Sequence, residues 1–209
     1  MRALDATTSR FDRRARSYQD SALQQFLFSP VQETALQLAL QLRPKVRRIL
    51  DVGCGSGQLL RRVRLCYPSA NLVGVDPAGQ MVAAGITLTP PEVAVHYLHA
   101  RAEQLPFVHD AFDLAFATLT FRPWTNPSAG IAEISRVLRP GGLLVLADVF
   151  SGQPRRSPTL WSLHRSRAAV PSELGGILTA HRLTVVGYDR TSWFRLPDVQ
   201  VIASSTPHP

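Results

Sequence analysis

Ile49-Leu50-Asp51-Val52-Gly53-Cys54-Gly55-Ser56-Gly57 decides the fold, and Val73-Gly74-Val75-Asp76 completes the pattern. An apolar run meets an acid, three glycines alternate with small residues, and a second apolar run ends in another acid. Apolar runs of this length, closed by glycine, read as buried strands of a parallel sheet. Glycines at a strand-to-helix turn let backbone come close to a ligand. An acid closing the next strand, roughly 20 residues on, is where nucleoside-binding sheets hold a ribose diol. The pattern points to a nucleoside-containing ligand.

Spacing narrows the choice. The dinucleotide fingerprint G-x-G-x-x-G asks for glycine where Gln58 stands. What is present is Gly53-x-Gly55-x-Gly57, preceded by Asp51. A carboxylate at a strand end is a poor neighbour for a pyrophosphate and a good one for an ammonium. The stretch resembles motif I of the class I methyltransferases that use S-adenosylmethionine, whose usual form is close to L-D-V-G-C-G-S-G. Over residues 46–150 the resemblance continues in order. Ala102-Glu103-Gln104-Leu105-Pro106-Phe107 is similar to the family's A-E-x-L-P-F segment, and Arg136-Val137-Leu138-Arg139-Pro140-Gly141-Gly142 to its R-V-L-x-P-G-G turn.

The resemblance implies S-adenosylmethionine as cofactor and assigns it residues. Asp51, Gly53, Cys54, Gly55 and Gly57 would lie against its methionine part. Asp76 would hold the ribose, Pro77 and Met81 would flank the adenine, and Ala102, Glu103 and Thr118 would complete the site. Two departures stand out. Arg101 replaces an aspartate that often reaches the adenine amino group, and arginine cannot accept a hydrogen bond. Glu103 or a backbone carbonyl would have to take over. In Thr120-Phe121-Arg122-Pro123-Trp124, Arg122 and Pro123 stand where small-molecule relatives often carry two histidines. Arg122 reads either as a binder of an anionic acceptor or as a surface arginine. Tyr18, His164 and His99 remain as candidate bases, while His96, His109 and His181 read as structural.

Composition sets the class. A chain of 209 residues with 45% hydrophobic content reads as a single soluble globular domain. No apolar run approaches the ~20 residues that span a bilayer, and the start of the chain lacks a signal-peptide h-region. Cys54 and Cys66 are the only cysteines and read as free thiols in a reducing compartment, the cytoplasm. No metal-ligand spacing is present. The net charge of +8 raises nucleic acid as a partner. However, the basic clusters are short, scattered and not interleaved with aromatics, so a small-molecule substrate is favoured. The oligomeric state, monomer or homodimer, stays open.

Strands are expected at 48–53, 71–76, 93–98, 112–119, 143–149, 183–190 and 199–205, with helices between most of them. The last two strands are too close in sequence for a helical crossover and should be antiparallel. The expected fold is α/β: a Rossmann-like seven-stranded, mostly parallel sheet with an antiparallel last strand and helices on both faces. Within one domain (1–209), residues 1–45 read as an N-terminal helical lid, with Ser29 capping a helix that Pro30 opens. Residues 46–150 read as the cofactor core, 151–170 as a substrate-pocket insert, and 171–209 as a closing helix and strands. Three functions compete. The leading one is O- or C-methylation of a phenolic, quinone or natural-product-like small molecule. The alternatives are an RNA methyltransferase and a non-catalytic cofactor-binding scaffold.

Overall fold

The two apolar runs around Asp51 and Asp76 become neighbouring strands in a computed structural model that describes residues 28–149, 172–191 and 199–207. They are β1 (Arg48–Val52) and β2 (Asn71–Asp76). Helix α1 (Ser29–Leu42) precedes them, α2 (Gln58–Cys66) joins them, and α3 (Gly79–Leu88) follows. Then come β3 (Val95–His99), β4 (Phe112–Thr118), α4 (Pro127–Val137) and β5 (Leu138–Val149). Helix α5 (Ser172–Ala180), β6 (Thr184–Thr191) and β7 (Val199–Ser205) follow.

The seven strands form one sheet in the order β3-β2-β1-β4-β5-β7-β6. All pairings are parallel except those of β7, which runs antiparallel to both β5 and β6. The expected topology is therefore the observed one. Central strands alternate their side chains between two buried layers, as strands covered on both faces must. Ile49, Leu114, Phe116 and Val145 pack into one layer with α1 and α2. Leu50, Ala115, Ala117 and Leu146 pack into the other with α4 and α5. The strand ends carrying Asp51 and Asp76 meet at the centre of the sheet edge where such folds bind ligands.

Four local expectations change. Ser29 is not a helix cap: Phe28 occupies that position in helical conformation, and the Ser29 hydroxyl accepts a hydrogen bond from Arg62 at 2.8 Å. Residues 29–42 are core rather than lid, because Val31, Ala35, Leu38 and Ala39 share one helical face and are buried against the sheet. The third strand begins at Val95, since Pro90-Pro91 opens a 3₁₀ turn over Pro91–Val93. The fifth begins at Leu138, with a register shift where Arg139-Pro140-Gly141-Gly142 bulges out beside β4. The rest of the expected lid (1–27) and the expected insert (151–170), with Tyr18 and His164, lie outside the described residues.

Candidate functional site

A cleft opens at the carboxyl ends of β1, β2 and β4. Its wall includes Asp51, Gly53, Cys54, Gly55, Asp76, Pro77, Met81, Ala102, Glu103 and Thr118. Ten of the eleven residues assigned to the cofactor by sequence thus meet in one wall. The eleventh, Gly57, does not line it. Gly57 takes a left-handed conformation (φ +78°) ahead of α2, and a Cβ there would clash with the Tyr97 hydroxyl. It lets the loop turn over Tyr97, one layer behind the cleft. Gly55 differs: its φ is +52°, but a Cβ would meet nothing within 4 Å. That space is the cradle a ligand would use.

The loop is hung on β2. The Gly53 and Cys54 amides both donate to the Val75 carbonyl, at 2.8 and 3.0 Å. Asp76 accepts from the Gly55 amide through Oδ2 and from the Ala78 amide through Oδ1, each at 2.8 Å. These bonds orient the Asp76 carboxylate at the strand end.

Asp51 stands out electrostatically. It is 1% exposed, and its Oδ1 has no hydrogen-bond partner. Burial, and then the nearby Asp76, push its carboxyl up to about 8. Burial and the same two acids push the Cys54 thiol up, so it stays a thiol; neither cysteine is in a disulfide. An orphaned buried acid on a cleft wall fits a ligand that brings a cation. The amino-acid end of S-adenosylmethionine, with its ammonium, meets that requirement.

The 102–107 segment is fixed from a distance. Arg136 donates to the Phe107 and Leu105 carbonyls at 2.7 and 3.1 Å and forks onto both oxygens of Glu133. Glu133 Oε2 in turn accepts from the Leu105 amide at 2.8 Å. Glu103 Oε1 accepts from the Thr125 and Asn126 amides, ahead of α4. Among the described residues, Arg101 is the only basic side chain in that wall.

Arg122 is exposed and outside the wall. Its amide and that of Phe121 donate to Asp148 Oδ2, which ties the post-β4 loop to β5. Burial raises the Asp148 carboxyl despite these bonds. His99 is bound to the Pro77 carbonyl at 2.8 Å, and no histidine lines the cleft among the described residues. Phe28, Gln32, Gln58, Leu119, Thr120 and Trp124 join the wall without having been assigned to the cofactor from sequence. Only Trp124 carried a signal, as the aromatic after the substituted histidines. It is seated on Gly130, where a Cβ would lie 2.6 Å from its ring.

Residues 50–146 match the family described as methyltransferase domain. This stretch is a methyltransferase domain. A similar curated protein is the ubiquinone/menaquinone biosynthesis C-methyltransferase UbiE of Syntrophotalea carbinolica, 36% identical over 135 residues, covering 63% of this chain and 55% of that protein. Another is a malonyl-[acyl-carrier protein] O-methyltransferase of Laribacter hongkongensis, 33% identical over 147 residues, covering 66% and 48%. The chain thus spans about half the length of these relatives. The chain also shares its fold with the Burkholderia thailandensis 1,6-didemethyltoxoflavin-N1-methyltransferase, solved with 1,6-didemethyltoxoflavin and S-adenosylhomocysteine. The TM-score is 0.72 at 19% identity, over 96% of this chain and 87% of that one.

Proposed function

We propose that the chain transfers a methyl group from S-adenosylmethionine to a small-molecule acceptor. The observation that carries this reading is the buried, unpartnered Asp51 oxygen on the cleft wall, with Asp76 beside it. The bound cofactor supplies an activated methyl group on a sulfonium, displaced in line by a lone pair of the acceptor while the S–C electrons return to sulfur. Asp51 would balance the ammonium, Asp76 would accept from the ribose hydroxyls, and Pro77, Met81 and Ala102 would enclose the base. Thr118 and Trp124 line the same cleft. The chain's main contribution is alignment, because the leaving group is already activated.

Relatives named for C-, O- and N-methylation support a small organic acceptor, and phenolic or quinone-like rings fit that range. The surface position of Arg122 favours the bland reading of that residue. Tyr18 and His164 stay as proposed bases. No helix among the described residues is long and apolar enough to cross a membrane. The free thiols support a cytoplasmic setting. The test measures S-adenosylhomocysteine release from S-adenosylmethionine with a panel of dihydroxyaromatic and quinol acceptors, against bulk RNA. Turnover with a ring acceptor and none with RNA is expected. Turnover with RNA alone would overturn the acceptor class.

A further inference from the structure

Six buried side-chain polar atoms lack a hydrogen-bond partner among the described residues, and three belong to residues of the cleft wall. They are Gln32 Oε1, Asp51 Oδ1 and Gln58 Oε1. All three are acceptors. They come from three separate elements: the first turn of α1, the end of β1 and the first residue of α2. No local turn or cap accounts for them together. Buried acceptors are normally satisfied, so three orphans on residues of one cleft wall call for donors brought by the occupant.

The number and kind of acceptors select the group. A primary ammonium carries three N–H donors and no acceptor, whereas a hydroxyl offers one donor and an amide nitrogen two. Charge agrees with this choice. Asp51 supplies the one negative charge, and two neutral amide oxygens add acceptors without a further acid beside Asp51, whose ionisation Asp76 already opposes. We propose that Gln32 and Gln58, with Asp51, form a three-acceptor seat for a primary ammonium, the α-amino group of the cofactor. This rests on the cofactor reading above and adds two specificity-determining residues to it. It also gives α1 a second role: its later turns build the core, and its first turn reads the ligand.

The test is calorimetric titration of the full chain and of Gln32→Leu and Gln58→Leu. The ligands are S-adenosylhomocysteine and its deaminated analogue, in which hydrogen replaces the amino group and the carboxylate stays. Each leucine variant is expected to bind S-adenosylhomocysteine roughly tenfold more weakly, as for hydrogen bonds to a charged group. Binding of the deaminated analogue is expected to change less than twofold. Unchanged S-adenosylhomocysteine affinity, or equal loss for both ligands, would overturn the proposal, the latter by assigning the glutamines to the carboxylate or to the shape of the loop.

Gln32→Glu and Gln58→Glu keep an acceptor of the same length and decide the matter if a leucine variant fails to fold. At pH 8 they should retain S-adenosylhomocysteine binding and weaken the deaminated analogue, whose only charge is negative. The reverse order would contradict the seat. An unaltered protein that binds neither ligand would instead remove the cofactor reading itself.

Discussion

At the scale of single residues, Asp51 is a cleft acid whose chemistry the fold has changed. Its carboxyl lies near 8 in the free chain, so it is largely protonated at neutral pH. An ammonium beside it favours the ionised form. Cofactor binding at pH 7 should therefore release close to one proton, and far less at pH well above 8. Titration in buffers of different ionisation enthalpy measures that number; a count near zero at pH 7 would contradict an ammonium at Asp51.

The same shift sets a stability trend. Between the ordinary value of 3.8 and about 8, the folded chain holds this proton more tightly than the unfolded chain. Stability of the free protein should then fall as pH rises through that window. Asp51→Asn should flatten the fall, as read from urea midpoints at pH 5 and pH 8, while weakening cofactor binding. Asp76→Ala should cost roughly 1–3 kcal/mol of cofactor affinity, the range for hydrogen bonds to a charged group, with calorimetry as the check.

At the scale of elements, the glycine loop and the segment facing it separate binding from folding. Gly55→Ala places its Cβ in open space at φ +52°, so the fold should survive at a cost of about 1–2 kcal/mol for the left-handed residue. Cofactor affinity should drop more than stability does. Gly57→Ala drives a Cβ against the Tyr97 hydroxyl, so thermal stability should fall more steeply than in Gly55→Ala. Equal melting temperatures would contradict this division. Arg136→Lys cannot reproduce a guanidinium that reaches two carbonyls and both oxygens of Glu133. It should lower stability by about 1–2 kcal/mol and loosen the 105–107 segment, as hydrogen exchange at Phe107 would show.

These elements also mark what could be read from the chain. The strands were legible because buried apolar runs and glycine breaks carry their own punctuation, and the motif resemblance picked out eleven residues of which ten line one cleft. Gln32, Gln58 and Phe28 were not legible, since a partly buried residue at a helix start has no periodic signal. They enter the site only because α1 and α2 converge on the end of β1. The engagement of Glu103 was equally hidden, because its partners Thr125 and Asn126 lie on another loop.

At the scale of the whole molecule, the net charge of +8 and the fold pull in different directions. Charge alone admits nucleic acid, and such binding weakens steeply with salt. Among the described residues, the cleft wall holds Asp51, Asp76 and Glu103 against Arg101, which suits a cationic ligand better than a polyanion. An RNA gel shift should therefore show no tight complex at physiological salt. The basic surface then serves as a solvated face, and the carboxyl edge of the sheet carries the function. The most direct measurement of that claim is calorimetric titration of the full chain with S-adenosylhomocysteine, using NAD as control. Micromolar binding of S-adenosylhomocysteine with no heat from NAD is the expected result. Binding of NAD, or of neither ligand, would contradict the account.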